Sequence, residues 1–153
     1  MPTSWRFTKE KYAGKAFDGE GARSQGGRWS SPGTRVVYTA GSQSLAILEI
    51  LVHLQQAEFL ASYVVFEVEF PEKIVEVVDP ASLPKNWRVS PVPHADLAIG
   101  DRWIRNGSSA VLRVPSVIVS SEFNYLINPA HKDFASIRIG SAKALDVDAR
   151  LLR

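Results

Sequence analysis

The segment from Ser42 to Leu54 limits the possible architecture more than any other part of the chain. It carries the clearest helical periodicity, with apolar residues at Ile47, Ile50, Leu51 and Leu54 behind an N-cap at Ser42 or Ser44. Around it the signals are those of strands. Arg35 to Ala40 (RVVYTA) is β-branched and aromatic and sits between Gly33 and Gly41, while Ala61 to Phe70 (ASYVVFEVEF) alternates Glu67 and Glu69 with Phe66, Val68 and Phe70. Shorter strands are expected at Ser4–Thr8, Ile74–Val78, Ala110–Val114, Tyr125–Ile127, Ser136–Ile139 and Ala144–Val147, with a weak short helix near His94–Asn106. One strong helix among many strands, without βαβ alternation, predicts an α+β fold with a mixed, mostly antiparallel sheet. Residues 12–33 contain Gly14, Gly19, Gly21, Gly26 and Gly27 and are expected to form a loop.

A chain of 153 residues suits one domain spanning 1–153. With 45% apolar and 22% charged residues it should form a packed core, and with 0 cysteines it has neither disulfides nor a thiol nucleophile. No apolar run approaches the ~20 residues of a membrane helix, and Arg6, Lys9, Glu10, Lys11 and Lys15 occupy the place of a signal sequence, so a cytoplasmic location without membrane association is expected. The net charge of +2 is too small to indicate nucleic acid. Its distribution is uneven, however: residues 1–40 carry 7 basic and 3 acidic side chains, residues 41–100 carry 3 and 8, and residues 101–153 carry 8 and 5.

The glycine-rich stretch GEGARSQGGRW fits neither of the familiar phosphate-binding patterns. Ser24 stands where a dinucleotide fingerprint needs its third glycine, and no Gly-Lys-Ser/Thr follows as in a P-loop. Arg28 beside Trp29 is left either as an anion-binding pair on a flexible loop or as a solvated arginine in an ordinary turn. Glu49 is more telling. Leu45, Ala46, Leu48 and Val52 surround it on a helix that is apolar nearly all round, so the helix should be buried and its carboxylate desolvated and in need of a cation. His53, four residues on, is the local alternative partner; a role in a site is the favoured reading. Tyr38 and Ser116, taken alone, are a core aromatic and a turn residue. His94 and His131 lack ligand spacing, so no metal site is expected.

GGRW at 26–29, VVYTA at 36–40, LAILEILVHL at 45–54, VPS at 114–116 and NYLINPAHKDF at 124–134 together resemble the RES-domain family over practically the whole chain. Ser30 and Lys132 depart from its usual Asn and Pro. The resemblance implies an ADP-ribosyltransferase-like fold and a toxin of a bacterial toxin-antitoxin pair that consumes NAD or transfers from it, with NAD as substrate rather than cofactor. An Xre-like antitoxin that covers the NAD pocket is the implied partner; self-association is plausible, with no residue pattern to support it. The matching positions are Arg6, Arg28, Tyr38, Glu49 and Ser116. On this likeness Arg6 and Arg28 grip the pyrophosphate and counter Glu49, Tyr38 stacks on nicotinamide, Ser116 orients the carboxamide or the ribose, and Glu49 steadies the sugar cation, making Glu49, Arg28 and Ser116 the catalytic group. Two other classes stay open: a non-enzymatic nucleotide or anion sensor, which has no use for Glu49, and an RNA-binding or ribonuclease module using Trp5 and Trp29 as stacking platforms.

Overall fold

The computed structural model describes residues 1–54 and 57–152. Along the chain lie β1 (Thr3–Lys9), α1 (Glu20–Gln25), β2 (Val37–Ala40), α2 (Gln43–Leu51), β3 (Tyr63–Glu69), β4 (Val75–Val77), α3 (His94–Asn106), β5 (Val111–Pro115), β6 (Phe123–Ile127), β7 (Arg138–Ile139) and β8 (Lys143–Ala144). The strands form one sheet in the order β4-β5-β6-β2-β1-β3-β7, with β8 following β7 along the same edge of β3. Among the described residues only β4 and β5 run parallel; every other pairing is antiparallel. The architecture is the α+β, mixed-sheet fold expected.

Burial follows the side-chain alternation. In β3, Val64, Phe66 and Val68 point to one side and Val65 to the other, all buried, while Glu67 stays in solvent. Val37, Val68, Phe70, Val111 and Ile127 build one core, and Trp29, Trp103, Leu112, Val114 and Leu126 build a second beneath α3.

Three expectations need correction. The glycine-rich stretch is not a continuous loop: a 3₁₀ turn covers Glu10–Lys15, and α1 forms between Gly19 and Gly26, both at positive φ. Helix α3, thirteen residues long and ending in the left-handed Gly107, is the longest helix among the described residues. It looked weak because its inward face is Asp96, Gly100 and Trp103, spaced i, i+4 and i+7 but only one-third apolar. Gly100 is needed there, since a Cβ would come within 2.0 Å of the Trp29 carbonyl oxygen. Finally, α2 stops at Leu51 and buries only Leu45 and Ala46, leaving Leu48 and Val52 exposed. Hydrophobicity on all sides did not bring burial on all sides.

Candidate functional site

Between α2, the glycine-rich stretch and the sheet lies a cavity of about 670 Å³, inside the usual range for small-molecule sites. Arg6, Arg28, Tyr38 and Glu49 all line it, together with Asn124 and His53. Four of the five residues singled out from sequence thus share one surface, and the fifth, Ser116, sits immediately behind it.

Glu49 projects from α2, which is held by the Ser42 hydroxyl accepting from the Leu45 amide at 3.0 Å. Its Oε1 accepts from Ser116 Oγ and from Asn124 Nδ2, both at 3.0 Å. Among the described residues it makes no ion pair, so the expected arginine partner is replaced by two neutral donors. The cations share the cavity without contacting the carboxylate.

Ser116 follows β5 directly and has no exposed surface. Its hydroxyl donates to Glu49 and accepts from the Ile118 and Val119 amides at 3.1 and 3.2 Å. A hydroxyl has one hydrogen and two lone pairs, so in this arrangement nothing is left for a ligand. Ser116 therefore orients Glu49, where a direct hold on carboxamide or ribose had been expected. Asn124, absent from the sequence-derived site, is the second donor. It stands on β6 opposite Ala40 of β2 and Val114 of β5. An amide in a strand where β-branched and aromatic residues are usual was the available signal.

Arg6 reaches the cavity through a gap in the sheet. β1 and β2 share a single paired position, Trp5 opposite Ala40, and beyond it the Tyr38 carbonyl accepts from Arg6 Nη1 at 2.9 Å. Arg6 Nε donates to the Ala16 carbonyl. Burial lowers its pKa to about 10 against the opposing pull of Asp18, and it stays charged at neutral pH. Arg28 Nη1 donates to the carbonyls of Val89 at 2.8 Å and Trp87 at 3.4 Å and lies 3.9 Å from Asp96 Oδ2. Asp96 is fully buried with neither oxygen hydrogen-bonded, and desolvation raises its pKa despite Arg28.

The Tyr38 hydroxyl accepts from the Trp29 amide at 3.1 Å and shares a 2.8 Å bond with Ser30 Oγ. Ser30 thus pins the phenol from beneath the Arg28 loop. Burial, partly offset by these bonds, pushes the phenol up to about 12. Trp29 is packed into the core, 1% exposed, with its ring 5.8 Å from that of Trp87. It cannot serve as a stacking platform for RNA in this arrangement. Among the described residues no three His, Asp or Glu side chains gather as metal ligands, and no helix is long and apolar enough to cross a membrane.

The RES domain profile matches residues 3–148. The chain belongs to the RES-domain family. Relatives of this RES domain include Toxin Res of Photorhabdus laumondii, 40% identical over 152 residues, covering 97% of this chain and 96% of that protein. The Prs ADP-ribosylating toxin of a Sphingobium species is 37% identical over 159 residues, covering 100% and 99%. A chain of the MbcT–MbcA toxin–antitoxin complex of M. tuberculosis superposes with a TM-score of 0.77 at 18% identity, over 94% of this chain and 83% of that one, which shows a shared fold.

Proposed function

We propose that this RES domain is the toxin of a toxin–antitoxin pair and cleaves NAD at the bond between nicotinamide and ribose. The carrying observation is the Glu49 carboxylate, fixed by Ser116 and Asn124 in a cavity whose lining also includes two arginines with which it makes no ion pair. When the C1′–N bond breaks, its electron pair leaves with the pyridine ring, and nicotinamide departs neutral. No acid is needed on the leaving group. What remains is a sugar cation of oxocarbenium character, and a preorganised carboxylate stabilises it.

The arginines suit the other end of the substrate. Arg6 spends Nε and one Nη1 hydrogen on backbone carbonyls, and Arg28 spends Nη1 on the 87–89 segment, so each keeps N–H groups for a pyrophosphate. The separation of cations from carboxylate fits a substrate anionic at one end and transiently cationic at the other. Tyr38, its hydroxyl already engaged, offers its ring to the nicotinamide cation. The names of the relatives support the reading: two that cover nearly the whole of this chain are toxins, one of them described as ADP-ribosylating. A protein antitoxin of Xre-like type is the proposed partner, covering this cavity, and the proposed place of action is the cytoplasm.

A purely anion-binding module explains the arginines but not Glu49, which repels phosphate. Proton NMR of NAD incubated with the protein, with and without inorganic phosphate, separates the cases. Free nicotinamide resonances are expected to appear. Phosphate dependence with an anomeric phosphate product identifies phosphate as acceptor, free ADP-ribose identifies water, and nicotinamide release only when a second protein is added identifies a side chain. Intact NAD at stoichiometric protein, with inorganic phosphate and a second protein both supplied as acceptors, refutes the proposal.

A further inference from the structure

We infer that Arg88 is a positioning residue for Glu49, an inference that rests on the NAD-cleaving reading of the cavity. Three consecutive residues, Trp87, Arg88 and Val89, bridge the two sides of the site. Trp87 and Val89 face the glycine-rich side: their carbonyls take the Arg28 guanidinium, and the Trp87 ring lies against Trp29. Arg88 reaches the opposite side. Its Nε and Nη2 converge on the Val117 carbonyl at 3.0 and 2.8 Å, and Nη2 also lies 3.5 Å from the Ile118 carbonyl.

Val117 lines the cavity and belongs to the turn that holds Ser116 in place. The Ser116 amide donates to the Glu122 carbonyl at 2.9 Å, and the Ile118 and Val119 amides converge on the Ser116 hydroxyl. With both lone pairs engaged, that hydroxyl has its hydrogen directed at Glu49. A planar guanidinium with two nitrogens on one carbonyl fixes the orientation of that peptide group, as a flexible ammonium cannot. The line of action runs from Arg88 through the 117 and 118 carbonyls to the 118 and 119 amides, to Ser116 Oγ, and to Glu49. Arg88 itself is exposed, so its replacement leaves the core untouched.

The test compares Arg88→Met and Arg88→Lys with the unaltered protein in two measurements. Amide hydrogen exchange at Ile118 and Val119 reads the turn without reference to catalysis. Exchange there should quicken about tenfold in the Met variant, with the thermal midpoint little changed. NAD turnover should show kcat reduced about tenfold and KM moved less than about threefold, because the perturbed group acts in the transition state. Lys should restore part of both. In a Ser116→Ala background, adding Arg88→Met should change kcat by less than about twofold, since Arg88 acts through that hydroxyl. Unchanged exchange, unchanged kcat, or full additivity with Ser116→Ala overturns the inference. If the unaltered protein leaves NAD intact while exchange still quickens, the enzymatic reading fails and the coupling of Arg88 to the turn stands.

Discussion

Replacing Gly27 with alanine drives a methyl group into the Tyr38 phenol. A Cβ at position 27 would lie 2.5 Å from the hydroxyl oxygen, 2.6 Å from Cζ and 2.9 Å from Cε1. Comfortable carbon contacts begin near ~3.5 Å, so one partner must retreat by about 1 Å. The phenol is poorly placed to do so, held by Ser30 and the Trp29 amide. The loop therefore moves, and Arg28 is its next residue. Overpacking of this kind costs ~1–3 kcal/mol of stability, and a binding group misplaced by about 1 Å costs up to ~100-fold in kcat/KM. Gly14 is the control, because a Cβ there meets nothing within 4 Å. Gly14→Ala should keep full activity and equal or slightly exceed the parent in stability. NAD turnover and thermal unfolding of both variants give the comparison. A Gly27→Ala protein matching Gly14→Ala in midpoint and kcat/KM refutes the reasoning that the glycine exists to let the loop close on Tyr38.

The Tyr38 phenol, raised to about 12, gives stability that is fully present below pH 10 and is lost as pH rises through 12, because the unfolded chain releases that proton first. The loss amounts to about 2–3 kcal/mol, and denaturation curves of Tyr38→Phe should show a correspondingly weaker decline between pH 10 and 12. Asp96 has a consequence of the same sign in the acid range. Its raised pKa means the folded state keeps the proton to higher pH than the unfolded chain, so stability falls as pH rises through its titration. The midpoint of Asp96→Asn relative to the parent should therefore climb as pH rises above the ordinary aspartate range of about 4, and a flat difference contradicts the burial argument. Asn124→Ala removes a hydrogen bond to a carboxylate and should lower kcat about 10- to 100-fold with little change in KM.

Much of this site was legible in the sequence because the chemistry resides in residues that polar patterning makes conspicuous. An acidic side chain in LAILEILVHL and an arginine after two glycines stand out against their neighbours, and both line the cavity. The sheet was legible through alternation, as in Phe66, Glu67 and Val68. What escaped depends on partners distant in sequence. Helix α3 hides its core face because Asp96 and Gly100 read as polar and as a breaker, though one lies against Arg28 and the other against the Trp29 backbone. The partners of Glu49 come from the turn after β5 and from β6, 67 and 75 residues away, and no local spacing reveals them. Leu48 and Val52 look like core residues by composition but lie on the solvent side of α2. Hydrophobicity gives periodicity, and only the packed sheet decides which side is covered.

The rate of nicotinamide release by Glu49→Gln, compared with the unaltered protein at saturating NAD, bears most directly on the mechanism. Glutamine keeps the shape of the side chain and an oxygen for Ser116 and Asn124, and loses only the charge. A fall of about 100- to 1,000-fold with an unchanged thermal midpoint is the predicted result. Turnover within about twofold of the parent would show that no carboxylate is needed for the sugar cation, and the account built on Glu49 would be wrong.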